Sequence, residues 1–166
     1  DLIDWHLKEQ ETMPWLTGAA YWPFKDFSTP VRPINPVPYM NQKGVVERDF
    51  TKKEAFYVFQ SYWTDKPLVR IYGHNWPIRW GAKGEIKTLK VYSNCNEAEL
   101  FLNGKSLGKK ERDSQNFPAA GLRWDTPLKK GKNNVKVIAN MNGETVTDEI
   151  NFYHETRKFG EEANIN

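Results

Sequence analysis

"EIKTLKVYSNCNEAELFLNGKSLGKK" (85–110) decides the fold. Residues 85–94 alternate in character, with Leu89 and Val91 on one face. The run "EAELFLN" (97–103) repeats the pattern, with Ala98, Leu100 and Leu102 on one side. A period of two marks half-buried strands. Asn103-Gly104 then supplies the two residues that best tolerate the positive φ angles of a type I′ turn. The chain therefore turns back through "KSLGKKER" (105–112) as the second arm of a hairpin.

The same reading extends outward. Upstream, "PLVRIYGH" (67–74) is a strand. Downstream, "AGLRWDTPL" (120–128) and "NNVKVIANM" (133–141) follow, the latter aligning Val135, Val137 and Ala139. Asn142-Gly143 is a second hairpin turn, leading into "ETVTDEINFYH" (144–154). Short strands at regular spacing, broken by turn signals, predict an immunoglobulin-like β-sandwich over 64–155. The polar tail, 156–166, is expected to fray. Cys95 is the only cysteine, so no internal disulfide forms. Flanked by Asn94 and Asn96, with no base beside it, it reads as a structural thiol.

Before residue 65 the character changes. "WLTGAAYWPF" (15–24) is continuously apolar, as a parallel strand covered on both faces would be. Pro30, Pro33, Pro36 and Pro38 make 28–44 a stiff extended loop, longer than most connections. "TKKEAFYVFQSYW" (51–63) predicts a helix with Thr51 as N-cap, Glu54 completing a capping box, and Ala55, Phe56, Phe59, Tyr62 and Trp63 on the buried face. "DLIDWHLKEQE" (1–11) fits a helix end or an extended approach. One strand, loop and helix cannot close a sheet. Residues 1–63 thus read as part of a larger α/β domain, and the whole as mainly β.

Several function classes drop out. The net charge of +3 is too small to point to nucleic acid. The basic cluster Lys105, Lys109, Lys110 and Arg112 is interleaved with Glu111 and Asp113, and reads as a solvated strand or turn. No run approaches the roughly 20 apolar residues of a membrane span. His6, His74 and His154 lack metal-ligand spacing. The chain opens on Asp1 without a signal-peptide pattern, which suggests a processed or excised sequence. Seven tryptophans suit sugar rings, ordinary cores and domain interfaces alike. Trp76 and Trp80 in particular fit either a sugar platform or packing against a neighbouring domain.

The stretches "GAAYWPFKDFSTP", "NQKGVVERD" and "TKKEAFYVFQSYW" resemble the last βα unit of the TIM barrel in glycoside hydrolase family 2. "HNWPIRWGAKGEIKTLKVYSNCNEAELFLNGKSLGKK" resembles the sandwich that follows that barrel in many bacterial β-galactosidase-like members. The resemblance covers roughly residues 12–155. It implies that 1–63 is the end of a (β/α)8 barrel and that the parent protein is a retaining β-glycosidase, most simply a β-galactosidase. Such an enzyme uses a pair of glutamates and no redox cofactor. In the family both glutamates precede the final barrel strand, so the resemblance places them outside this chain and implies that the chain alone is inactive. Glu9 and Glu11 sit in a solvated helix end, and Glu97 and Glu99 on a solvated strand face, so no catalytic residue is assigned.

Four residues are candidates for contacting substrate, three of them implied by the resemblance and Asp26 by its place at the loop start. Trp22, near the end of the expected last strand, is either a sugar-binding wall or a core residue under the barrel rim. Asp26, with Lys25, either reaches sugar hydroxyls or forms a salt bridge at the loop start. Asn41 and Lys43, in "NQKG" (41–44), resemble the Asn-x-Lys motif with which family 2 β-glucuronidases grip a sugar carboxylate. A lysine there supplies a compact cation for a uronate. The expected partner is a carbohydrate substrate, with neither nucleic acid nor membrane. The apolar strand in 1–63 leaves dimerisation or docking open. Set against the enzyme reading are a sandwich that only binds carbohydrate and one that only buttresses its neighbour.

Overall fold

A computed structural model describes residues 2–112 and 121–156. The chain divides into two compact units, one ending at Asp65 and the other beginning at Lys66. The expected tail beyond Thr156 lies outside the described residues.

The second unit is the predicted sandwich. Its described strands are β3 (Val69–Ile71), β4 (Ile78–Trp80), β5 (Ile86–Ser93), β6 (Glu97–Leu102), β7 (Lys105–Glu111), β8 (Gly121–Pro127), β9 (Gly131–Met141) and β10 (Glu144–Glu155). They form one sheet in the order β4-β10-β9-β6-β7 and another in the order β3-β5-β8. Every pairing is antiparallel except β4 with β10. Leu89 and Val91 from one sheet meet Ala98, Leu100, Val135, Val137 and Phe152 from the other in one apolar core. The register follows from the alternation, because a one-residue slip would turn each of these side chains toward water.

Both predicted turns form, with Asn103 and Gly104 at φ 52° and 82° and Asn142 and Gly143 at φ 53° and 81°. Trp124 is buried, and its Nε1 donates to the Gly108 carbonyl at 3.0 Å, which satisfies its one polar group. Cys95 is buried and free, as a structural thiol should be. Lys105, Lys109 and Lys110 of the basic cluster lie on the exposed strand β7, where Lys109 pairs with Glu97 at 2.6 Å, and Arg112 follows just beyond it, half-buried. The sequence reading missed β4. Its three residues follow Pro77 and are held at the sheet edge by β10.

The first unit departs further from expectation. Helix α1 spans Leu2–Glu11 and helix α2 spans Glu54–Trp63. The N-cap of α2 is Lys53 rather than Thr51, and it makes no side-chain capping bond. The Thr51 amide is used instead by Asp49 Oδ1 at 2.9 Å. The helix positions most deeply buried are Glu54, Val58 and Ser61, while Phe56, Phe59 and Trp63 line an open groove. The apolar run 15–24 is not a buried strand: it forms no ladder, and Trp15, Leu16, Tyr21, Trp22 and Phe24 are exposed. A parallel strand needs hydrogen-bonded neighbours, and the described residues offer none before the Lys25–Val46 bridge. The long loop is closed at its base by a two-residue ladder, β1 (Phe27–Ser28) against β2 (Met40–Asn41).

Candidate functional site

The four candidate residues all lie in the first unit, on two stretches that the backbone draws together. Val45 N and Val46 N donate to the Phe24 carbonyl at 3.0 and 3.1 Å, and Asp26 N donates to the Val46 carbonyl at 3.1 Å. Lys53 N in turn donates to the Val45 carbonyl at 3.1 Å. Residues 24–26, 44–46 and 53 therefore lie side by side, although they are far apart in sequence.

Asp26 occupies the centre of this arrangement. It is 5% exposed. Lys53 Nζ donates to its two carboxylate oxygens at 2.7 and 2.6 Å, and Gly44 N donates to Oδ1 at 2.8 Å. Of the two readings offered for Asp26, the structure draws the salt bridge. Burying a carboxylate is tolerable only when it is paired and hydrogen-bonded in this way. Lys25, its neighbour, places its ammonium 3.9 Å from the centre of the Phe50 ring.

Asn41 is buried, and its Oδ1 accepts the Lys43 amide at 3.1 Å. This is a side-chain-closed turn of the kind Asn favours. The Lys43 carbonyl accepts the Tyr21 hydroxyl at 3.1 Å, and the Gln42 carbonyl accepts Lys53 Nζ at 3.1 Å. The Lys43 side chain is exposed, and its ammonium has no hydrogen-bond or ion-pair partner among the described residues. Gly44 is needed for close approach: a Cβ there would lie 2.4 Å from Asp26 N and 2.6 Å from Asp26 Oδ1.

Trp22 is 73% exposed, its peptide bond to Pro23 is cis, and its ring meets Phe27 edge-on at 5.5 Å. Beside it, an open apolar groove of about 480 Å³ runs along α2, walled by Tyr21, Phe24, Phe56, Phe59 and Trp63. Among the described residues no group of three or more His, Cys, Asp or Glu side chains could hold a metal ion, and no helix is long and apolar enough to cross a membrane. Sequence reasoning singled out Asp26, Asn41 and Lys43 but missed Tyr21 and Lys53. Nothing in their spacing marks them, because each acts on residues more than ten positions away.

The comparisons with known proteins agree with this architecture. Residues 84–147 match the family model "Domain of unknown function (DUF4982)". The chain is 63% identical to the crystal structure of Parabacteroides merdae β-glucuronidase, with a TM-score of 0.93, over 98% of this chain and 21% of that one. It is 48% identical to a Formosa agariphila protein named "Putative beta-glucuronidase", over 99% of this chain and 20% of the relative. It is 32% identical to the β-galactosidase BoGH2A of Bacteroides ovatus, over 80% of this chain and 15% of the relative. Almost the whole chain is thus related to glycosidases. More narrowly, it belongs with the β-glucuronidase- and β-galactosidase-like proteins of glycoside hydrolase family 2. It spans about a fifth of the length of the relatives it matches most fully.

Proposed function

We propose that these 166 residues work as one part of a longer retaining β-glycosidase, and that this enzyme is a β-glucuronidase rather than the β-galactosidase first expected. The observation that carries the choice is Lys43: an exposed ammonium without a partner among the described residues, on a turn whose backbone is tied down on both sides. A uronide differs from a galactoside chiefly in carrying a carboxylate, and a fixed cation is the group that reads this difference. The names of the two most similar proteins compared above favour the same choice.

In this reading Lys43 grips the sugar carboxylate and Asn41 sets the turn that presents it. The exposed face of Trp22 is a wall for the sugar ring. Residues 1–63 are the closing βα unit of a barrel, so the apolar groove along α2 and the exposed Trp15 and Leu16 are covered by the rest of that barrel, while Trp22 stays open to the substrate. The two carboxylates that cleave the glycosidic bond come from residues outside 1–166. The chain alone therefore hydrolyses nothing.

The test is a paired assay of the full-length enzyme on aryl β-glucuronide and aryl β-galactoside. The glucuronide is expected to turn over faster. Lys43→Ala should lower its kcat/KM by about 10- to 100-fold, the value of one charge-assisted hydrogen bond at about 1.5–3 kcal/mol. Faster galactoside turnover, indifferent to Lys43→Ala, would exclude the reading.

A further inference from the structure

We infer that Asp26, Lys53 and Tyr21 are positioning residues for Lys43, forming a clamp that makes the turn a rigid carboxylate receptor. The inference rests on the uronide reading above and deepens it.

Four backbone groups surround the Lys43 side chain, and each is held by a different side-chain atom. The Gln42 carbonyl accepts Lys53 Nζ, and the Lys43 amide is bound by Asn41 Oδ1. The Lys43 carbonyl accepts the Tyr21 hydroxyl, and the Gly44 amide is bound by Asp26 Oδ1. Two of the four holders, Lys53 and Asp26, are themselves joined by an ion pair at 2.6 Å. They come from opposite sides of the long loop, so the pair fastens its start to the beginning of α2. A mobile surface lysine needs none of this. A lysine that must meet one carboxylate in one place does, because misplacing a binding group by about 1 Å costs on the order of 100-fold.

Asp26 acts here as a holder of the turn rather than as a sugar ligand, with its oxygens accepting an ammonium and an amide. Its effect on substrate is transmitted through the Lys43 backbone. Removal should raise KM for a carboxylated sugar and leave kcat comparatively unaffected, since the carboxylate lies away from the bond being broken.

The experiment compares Asp26→Asn, Lys53→Met and Tyr21→Phe with Lys43→Ala in the full-length enzyme. KM and kcat are measured on aryl β-glucuronide and aryl β-galactoside, and hydrogen exchange is followed over residues 40–46. Each clamp variant is expected to raise the glucuronide KM about tenfold, to change the galactoside KM far less, and to accelerate exchange at 40–46. If Lys43→Ala lowers glucuronide selectivity while all three clamp variants keep the wild-type KM, the clamp is refuted and the uronide reading survives. If Lys43→Ala leaves selectivity unchanged, the uronide reading falls first and takes the clamp's function with it. Equal losses on both substrates would reduce the clamp to a purely structural role and overturn the inference. Tyr21→Phe deletes a single hydroxyl and removes no charge, so it carries the test even if the buried-charge variants fail to fold.

Discussion

Gly44→Ala should loosen the lysine-bearing turn, and the structure gives the size of the effect. A Cβ at this position would sit 2.4 Å from Asp26 N, whereas ordinary contact begins near 3.4 Å. The obstacle is backbone, so residues 25–26 and 44 would have to part by about 1 Å. That motion breaks the 2.8 Å bond from Gly44 N to Asp26 Oδ1. A hydrogen bond to a charged group contributes about 1.5–3 kcal/mol. Against this, alanine restricts the unfolded chain and returns about 0.4–1 kcal/mol. Steric relief adds to the loss, and the net opening cost falls by about 2 kcal/mol. At about 1.4 kcal/mol per factor of ten, amide exchange over 40–47 should run about 30-fold faster. Hydrogen exchange of the full-length enzyme measures this directly, with the β9 segment 133–141 as an internal reference that should not change. Wild-type exchange at 40–47 in the variant would show that the close approach at Gly44 does not hold the turn.

Two further predictions concern the sandwich. Leu100 is fully buried between the sheets, so Leu100→Ala should cost about 2–5 kcal/mol, read as a lower urea midpoint of the β-sheet circular dichroism signal; an unchanged midpoint would contradict the assigned register. The Glu85 carboxyl is held below its usual value of 4.5, first by its hydrogen bond from Lys87 and then by the Ala82 amide. Its folded pKa is thus lower than its unfolded one, so its small stabilising contribution is present above about pH 4.5 and fades as pH falls through the folded value. An NMR titration should place the Glu85 midpoint below 4.5, and Lys87→Met should move it upward; a wild-type midpoint at or above 4.5 would refute the contact.

The sandwich was legible in the sequence because its determinants are local. Asn103-Gly104 and Asn142-Gly143 fix their turns by backbone preference alone, and Val135, Val137 and Ala139 declare their face by alternation. Strand β4 escaped notice because three residues after a proline carry too little pattern, and only β10 gives them a ladder. The first unit misled for a different reason. "WLTGAAYWPF" has the composition of a covered strand, but a covered strand needs strands on either side of it, and among the described residues no ladder forms over 15–24. Likewise Thr51 and Glu54 have capping-box spacing, yet the helix starts after Lys53, whose side chain is drawn to Asp26. At the candidate site, the Asn41–Lys43 turn could be read from three adjacent residues. The Asp26–Lys53 pair could not, because its members are 27 positions apart and meet only through the fold of the long loop.

The position of a bound sugar carboxylate tests the central claim most directly. A crystal structure of the full-length enzyme with glucuronate should place Lys43 Nζ about 2.7–2.9 Å from a carboxylate oxygen, with the sugar ring against Trp22 and the Asp26–Lys53 pair intact beneath the turn. Glucuronate bound with its carboxylate on other residues, and Lys43 left in solvent, would contradict the account.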